Sequence, residues 1–135
     1  MVALGTVCDV VPIIGLNRSF VKNGLKVLSK RNNLGIKALC DISNLKNIPD
    51  EKSLGYTIGP KINAGGRIGS STLGVDLLTS KTFSGANDIA FKLHELNDTL
   101  ITQTDKDGDN ALLLAAQNGH IDILLWLYKL RPTLL

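Results

Sequence analysis

The chain opens on a run that is apolar at nearly every position, Val2-Ala3-Leu4-Gly5-Thr6-Val7-Cys8-Asp9-Val10-Val11-Pro12-Ile13-Ile14. Rich in β-branched residues and broken by Gly and Pro, it reads as a buried strand leading into a loop. Beyond it the spacing becomes helical. Val21, Leu25 and Leu28 predict a helix over 18–31, capped by Asn17 and stopped by Asn32-Asn33. Ile36, Leu39, Cys40 and Ile42 predict a second over 34–43. A third is opened by Pro49-Asp50-Glu51, carries Leu54, Tyr56 and Ile58, and ends at Gly59-Pro60. The small residues of Lys61-Ile62-Asn63-Ala64-Gly65-Gly66-Arg67-Ile68-Gly69-Ser70-Ser71 predict a loop that allows close backbone approach. A helix over 72–79 follows, and then a longer one capped by Ser84, with Ala86, Ile89, Ala90, Leu93 and Leu96 on one stripe.

After Asn97 the pattern changes. Asp98 to Asn110 is polar, with a turn at Asp105-Lys106-Asp107-Gly108. Two short apolar helices follow, near 111–117 and 121–130, separated by Asn118-Gly119-His120. These shifts divide the chain into a part at 1–97, a junction at 98–104 and a helical hairpin at 105–135. Nothing else repeats at a period of roughly 33 residues, so the hairpin is a single copy.

Composition refines this picture. Of 135 residues, 44% are apolar, 20% charged and only 4% aromatic, so the chain is globular with an aliphatic core. Charge is uneven. Residues 1–80 hold ten Lys and Arg against five Asp and Glu, a net of +5, whereas residues 81–135 hold five against seven, a net of −2. The basic part suits a polyanion. Lys22, Lys26 and Lys30 share one side of a helix at i, i+4 and i+8, where they either meet DNA or stay solvated. Cys8 and Cys40 have no CxxC pairing or zinc spacing, which reads as free thiols in a reducing compartment. With no signal peptide and no apolar run near the roughly 20 residues of a membrane span, a cytoplasmic location away from membranes is expected.

Three blocks taken together resemble the RecJ family of DHH phosphoesterases: Ala3-Leu4-Gly5-Thr6-Val7-Cys8-Asp9-Val10-Val11-Pro12, then Asn17-Arg18 with Val21-Lys22-Asn23-Gly24-Leu25, then Gly59-Pro60-Lys61-Ile62-Asn63-Ala64-Gly65-Gly66-Arg67-Ile68. Leu93-His94-Glu95-Leu96-Asn97 fits the start of the family's linker helix. The resemblance covers about 1–97. It implies a manganese- or magnesium-dependent exonuclease that degrades single-stranded DNA from the 5′ end. The expected fold is an α/β fragment, one or few strands plus several helices from the end of a DHH-type domain, mostly helical overall.

The resemblance maps a metal-ligand position onto Asp9, an acid that is costly to bury in an apolar run unless paired or on a cation. It places the family's other ligands, including its Asp-His-His signature, upstream of Met1. No cofactor is therefore expected in the isolated chain, and no complete catalytic set. Arg67 is a candidate phosphate contact, helped by Lys61, Asn63 and backbone amides bared at Gly65 and Gly66. His94 reads as a solvated helix residue and His120 as structural.

The tail, Asp107-Gly108-Asp109-Asn110-Ala111-Leu112-Leu113-Leu114-Ala115-Ala116-Gln117-Asn118-Gly119-His120-Ile121-Asp122-Ile123-Leu124, resembles an ankyrin repeat, although Asn110-Ala111-Leu112-Leu113 departs from the usual Thr-Pro-Leu-His start. A single repeat cannot bury its own apolar face. Leu124, Trp126 and Leu127 are accordingly candidate contacts to a protein partner or to other ankyrin repeats, and the end at Leu134-Leu135 lacks a polar cap. The functions in view are a RecJ-like exonuclease fragment inactive alone, and an ankyrin-repeat interaction module without nuclease function.

Overall fold

The computed structural model describes the chain except Ile48, Ile68, residues 131–135 and the side chain of Leu130. The end at Leu134-Leu135 thus lies outside the described residues. The chain divides into two compact units, Met1–Asn97 and Asp98–Leu135.

The first unit is helical throughout its regular structure. Its elements are α1 (Val2–Cys8), α2 (Gly15–Leu28), α3 (Leu34–Ile42), α4 (Glu51–Ser53), a π-turn (Leu54–Ile58), α5 (Gly59–Arg67), α6 (Leu73–Thr79) and α7 (Phe83–Ile101), the last running on into the second unit. Among the described residues there is no strand in this unit, which corrects the expectation for residues 2–11. The opening run is α1. An all-apolar stretch of seven residues carries no period by which to choose between strand and buried helix. A strand here would also need a neighbour for its N–H and C=O groups, whereas a helix pairs them internally. Ala3, Leu4, Val7 and Cys8 fall on one face, and α1 uses that face to pack on α2 and the π-turn.

The core gathers Ile36 and Leu39 of α3, Leu54 and Ile58 of the π-turn, Leu77 of α6 and Leu93 of α7, all fully buried. Two close approaches set its geometry. A Cβ at Gly24 would stand 2.2 Å from the Cβ of Ala3, so α1 and α2 cross at van der Waals contact of backbone with side chain. At Gly35 a Cβ would meet the Leu77 carbonyl oxygen at 2.3 Å, which brings α3 just as near α6.

Several caps differ from expectation. Asn17 lies in the first turn of α2 and donates from Nδ2 to the Pro12 carbonyl at 3.0 Å, so it ties down the preceding loop rather than capping. Asn33 does cap α3, its side chain accepting from the Ile36 N–H at 3.0 Å. For α7 the cap is Thr82, whose hydroxyl accepts from the Gly85 N–H at 3.3 Å, two residues ahead of Ser84.

The largest departure concerns Gly59-Pro60. The chain does not leave the helix there but continues through the Gly-rich block to Arg67, so α4, the π-turn and α5 run without interruption over 51–67. Proline inside an α-helix clashes with the carbonyl four residues back. Here the preceding turn is widened, with the Gly59 N–H bonding the Leu54 carbonyl five residues back, and Pro60 falls in the first turn of α5, where a missing N–H is tolerated.

In the second unit, Asp105 Oδ1 accepts from the N–H groups of Asp107 and Asp109 at 2.9 and 3.0 Å, fixing a tight turn completed by Gly108 at φ +86°. Asn110 then caps α8 (Ala111–Gln117), its Oδ1 accepting from Leu112 and Leu113. Gly119, at φ +72°, reverses the chain into α9 (Ile121–Leu130). Leu112, Ala115 and Leu127 form a small buried cluster, with Ile101, Leu124 and Trp126 packed on it. No helix among the described residues is long and apolar enough to cross a membrane.

Candidate nucleic-acid interface

A cleft of about 270 Å³ opens where α1 meets α5 in the first unit. Its walls include Leu4, Cys8, Ile62 and Leu78, and its polar side chains are Asp9 and Asn63. Two of the residues singled out from the sequence, 54 positions apart, are thereby brought to one place. Asp9 terminates α1 and is exposed. The residue after it, Val10, has φ +55° and is 86% exposed. That conformation is unfavourable for a β-branched residue, and it is held by the Val10 N–H bonding Val7 and the Val11 N–H bonding Thr6. The strained turn fixes Asp9 at the rim of the cleft.

On α5 the same helical geometry sorts the other candidates. Asn63 and Arg67 are one turn apart, and both are exposed, as is Gly66 between them. Neither side chain has an internal partner among the described residues. Lys61 points the other way: it is 7% exposed and its Nζ donates to the Thr57 carbonyl at 3.3 Å. Gly65 is buried too, and a Cβ there would press on the Ser70 carbonyl and on Leu73 and Leu93 at 3.0 to 3.2 Å. Because Gly65 and Gly66 lie within α5, their N–H groups serve the helix. The bared-amide cradle expected of a loop is absent, and the polar face consists of the Asn63 and Arg67 side chains.

Sequence reasoning missed the cleft's apolar walls and the half-buried Cys8, whose thiol donates to the Leu54 carbonyl at 3.7 Å. Burial, and secondarily the Asp9 carboxylate, push this thiol above its ordinary range. The available signal was Gly59, where a Cβ would stand 2.5 Å from Cys8 Sγ, so that α5 can reach α1 only through a glycine. His94 is half-buried with its Nδ1 shielded from water, not solvated as expected. In the second unit Leu127 is buried, Leu124 and Trp126 are half-buried, and His120 is exposed.

One carboxylate and one carboxamide do not fit a manganese or magnesium ion, which takes about six mostly oxygen ligands. Among the described residues no group of three or more His, Cys, Asp or Glu is placed to hold a metal.

The fold and the cleft define a helical segment that presents an acid and an amide at one cleft, with an unpaired, exposed arginine one turn farther along α5. Comparison with known proteins identifies its kin. Over 102 residues the chain is 40% identical to the single-stranded-DNA-specific exonuclease RecJ of Haemophilus influenzae, an alignment covering 73% of this chain and 18% of that protein. Against RecJ of Bacillus subtilis the identity is 32% over 120 residues, covering 88% of this chain and 15% of that protein. The crystal structure of RecJ from Thermus thermophilus in complex with Mn2+ matches with a TM-score of 0.66 at 30% identity, covering 72% of this chain and 15% of that one. A crystal structure of exonuclease RecJ bound to manganese gives the same TM-score and covers 25% of its chain. No protein-family model matches. The chain is thus homologous to RecJ over roughly three quarters of its length, and it spans less than a fifth of the curated relatives just named.

Proposed function

We propose that this chain is a RecJ-like, single-stranded-DNA-contacting segment of a 5′-to-3′ exonuclease, unable to hydrolyse DNA by itself. The observation that carries the reading is the alignment of Asn63 and Arg67 on the exposed face of α5, beside the cleft rimmed by Asp9. A guanidinium with no protein partner suits a phosphate, to which it offers a planar fork of donors. Asn63 supplies both a donor and an acceptor one turn away. Asp9 occupies the position that the family resemblance assigns to metal binding. With a single carboxylate in the cleft, it is one ligand of a set that these residues do not complete.

The test uses the whole chain and a 5′-labelled single-stranded oligonucleotide with manganese present. Binding without degradation is expected, weakened about ten-fold or more in R67Q, as follows from losing a charge-assisted hydrogen bond. Manganese-dependent release of the 5′ label that disappears in D9N would overturn the inactive part of the reading. Binding unchanged in both R67Q and N63A would overturn the contact.

A second reading, protein interaction through the ankyrin-like hairpin, is favoured by the apolar outer surface of α9. Ile121, Ile123, Leu125 and Tyr128 are 43–69% exposed there, although Leu127 is already used within the unit.

A further inference from the structure

The exposed side of α2 carries a row of cations separate from the cleft lining. Arg18, Lys22 and Lys26 recur one turn apart, and Lys30 extends the row in the turn that follows. All four are exposed, while the opposite side of the helix buries Val21 and Leu28 and lays Gly24 against α1. Helix α2 contains no acidic residue. Asp41 pairs with Arg31 and Lys37, and among the described residues none of the four cations of the row has an ion-pair partner. Like charges at i, i+4 repel, and the fold supplies nothing to relieve them.

We infer that this row is a docking line for the phosphate backbone of single-stranded nucleic acid, an inference that rests on the proposed DNA-handling role of the segment. Four positions spaced four residues apart extend about 18 Å. That length spans roughly five phosphates of a stacked strand at about 3.4 Å each. The row consists of cations only, so it grips charge without reading bases, and its contribution falls steeply with salt. The occupant is a polyanion with regularly spaced charges, which distinguishes it from the single phosphate suited to Arg67.

The experiment measures binding of the full chain to a fluorescent 30-mer of thymidine by anisotropy, from 50 to 200 mM KCl. Compared are the wild type, the row variant R18Q/K22Q/K26Q/K30Q and the cleft variant N63A/R67Q. Glutamine keeps helix propensity near that of lysine, and circular dichroism checks the fold. The conservative R18K variant, which keeps the charge, should bind as the wild type does. The row variant should bind more weakly, and its plot of log affinity against log salt should be shallower by about 2.8, the sum of four phosphate contacts on a single strand. An unchanged slope in the row variant, with the cleft variant weakened, overturns this inference and leaves the proposed function standing. A shallower slope in the row variant with an unaffected cleft variant supports the row and overturns the α5 contact. Wild-type chain that fails to bind the 30-mer at 50 mM KCl overturns both. Binding to phosphatidylserine vesicles that alone responds to the row substitutions overturns the row inference.

Discussion

At Gly24 the space for a Cβ is already filled by Ala3, 2.2 Å away, whereas at Gly66, also helical, nothing lies within 4 Å. The two glycines should therefore answer an identical substitution with opposite signs. Gly66→Ala removes backbone freedom from the unfolded chain and should stabilise by about 0.5–1 kcal/mol. Gly24→Ala gains the same propensity but must push α1 away from α2, so a net loss of about 1–3 kcal/mol is expected. Urea unfolding of both variants checks the pair. Neither outcome could be foreseen from composition, because the sequence reads Gly66 as part of a loop and shows nothing of what packs against Gly24. Asp9 and Asn63 show the same limit: each was picked out by chemistry, but their sharing of one cleft comes from tertiary packing.

At the scale of elements, what was legible followed the clarity of the period. Helices α2, α3, α8 and α9 have apolar residues three and four apart, and the structure has them within a few residues of their expected bounds. The opening run had no period at all, and its helix is decided by packing on α2 and the π-turn. Gly59-Pro60 looked like a stop because a π-turn has no sequence signature of its own. Asp50 is the cap for the whole 51–67 stretch, its Oδ1 accepting from the Ser53 hydroxyl and N–H at 2.6 and 2.8 Å. Those bonds, the hydroxyl's first, hold its carboxyl below the ordinary range. A depressed folded value means that this stabilisation is fully present above the unfolded carboxylate value and is lost as pH falls through the folded one. Asp50→Ala should cost about 1 kcal/mol at pH 7. The difference from wild type should shrink as the pH is lowered into the acid range, as followed by urea midpoints.

For the molecule as a whole, the two units have separate buried clusters, one of a dozen residues and one of three. The single tryptophan, Trp126, lies on the smaller. Leu127→Ala removes a leucine from that cluster and should shift the Trp126 fluorescence transition to lower urea by an amount equivalent to about 2 kcal/mol. The main loss of helix circular dichroism, which reports the larger unit, should stay where it is. Coincident shifts of both signals would show one cooperative block instead. Within the larger unit, the π-turn at Leu54–Ile58 acts as a phase setting. An α-helix advances 100° per residue, so winding the same residues as uninterrupted α-helix, without the wide turn, would rotate everything after it by about that angle. Asn63 and Arg67 would then turn away from the exposed face of α5, and the place of Asn63 would pass to Ile62, which now packs against the core. The surplus residue in one turn thus decides which chemistry the next two turns display.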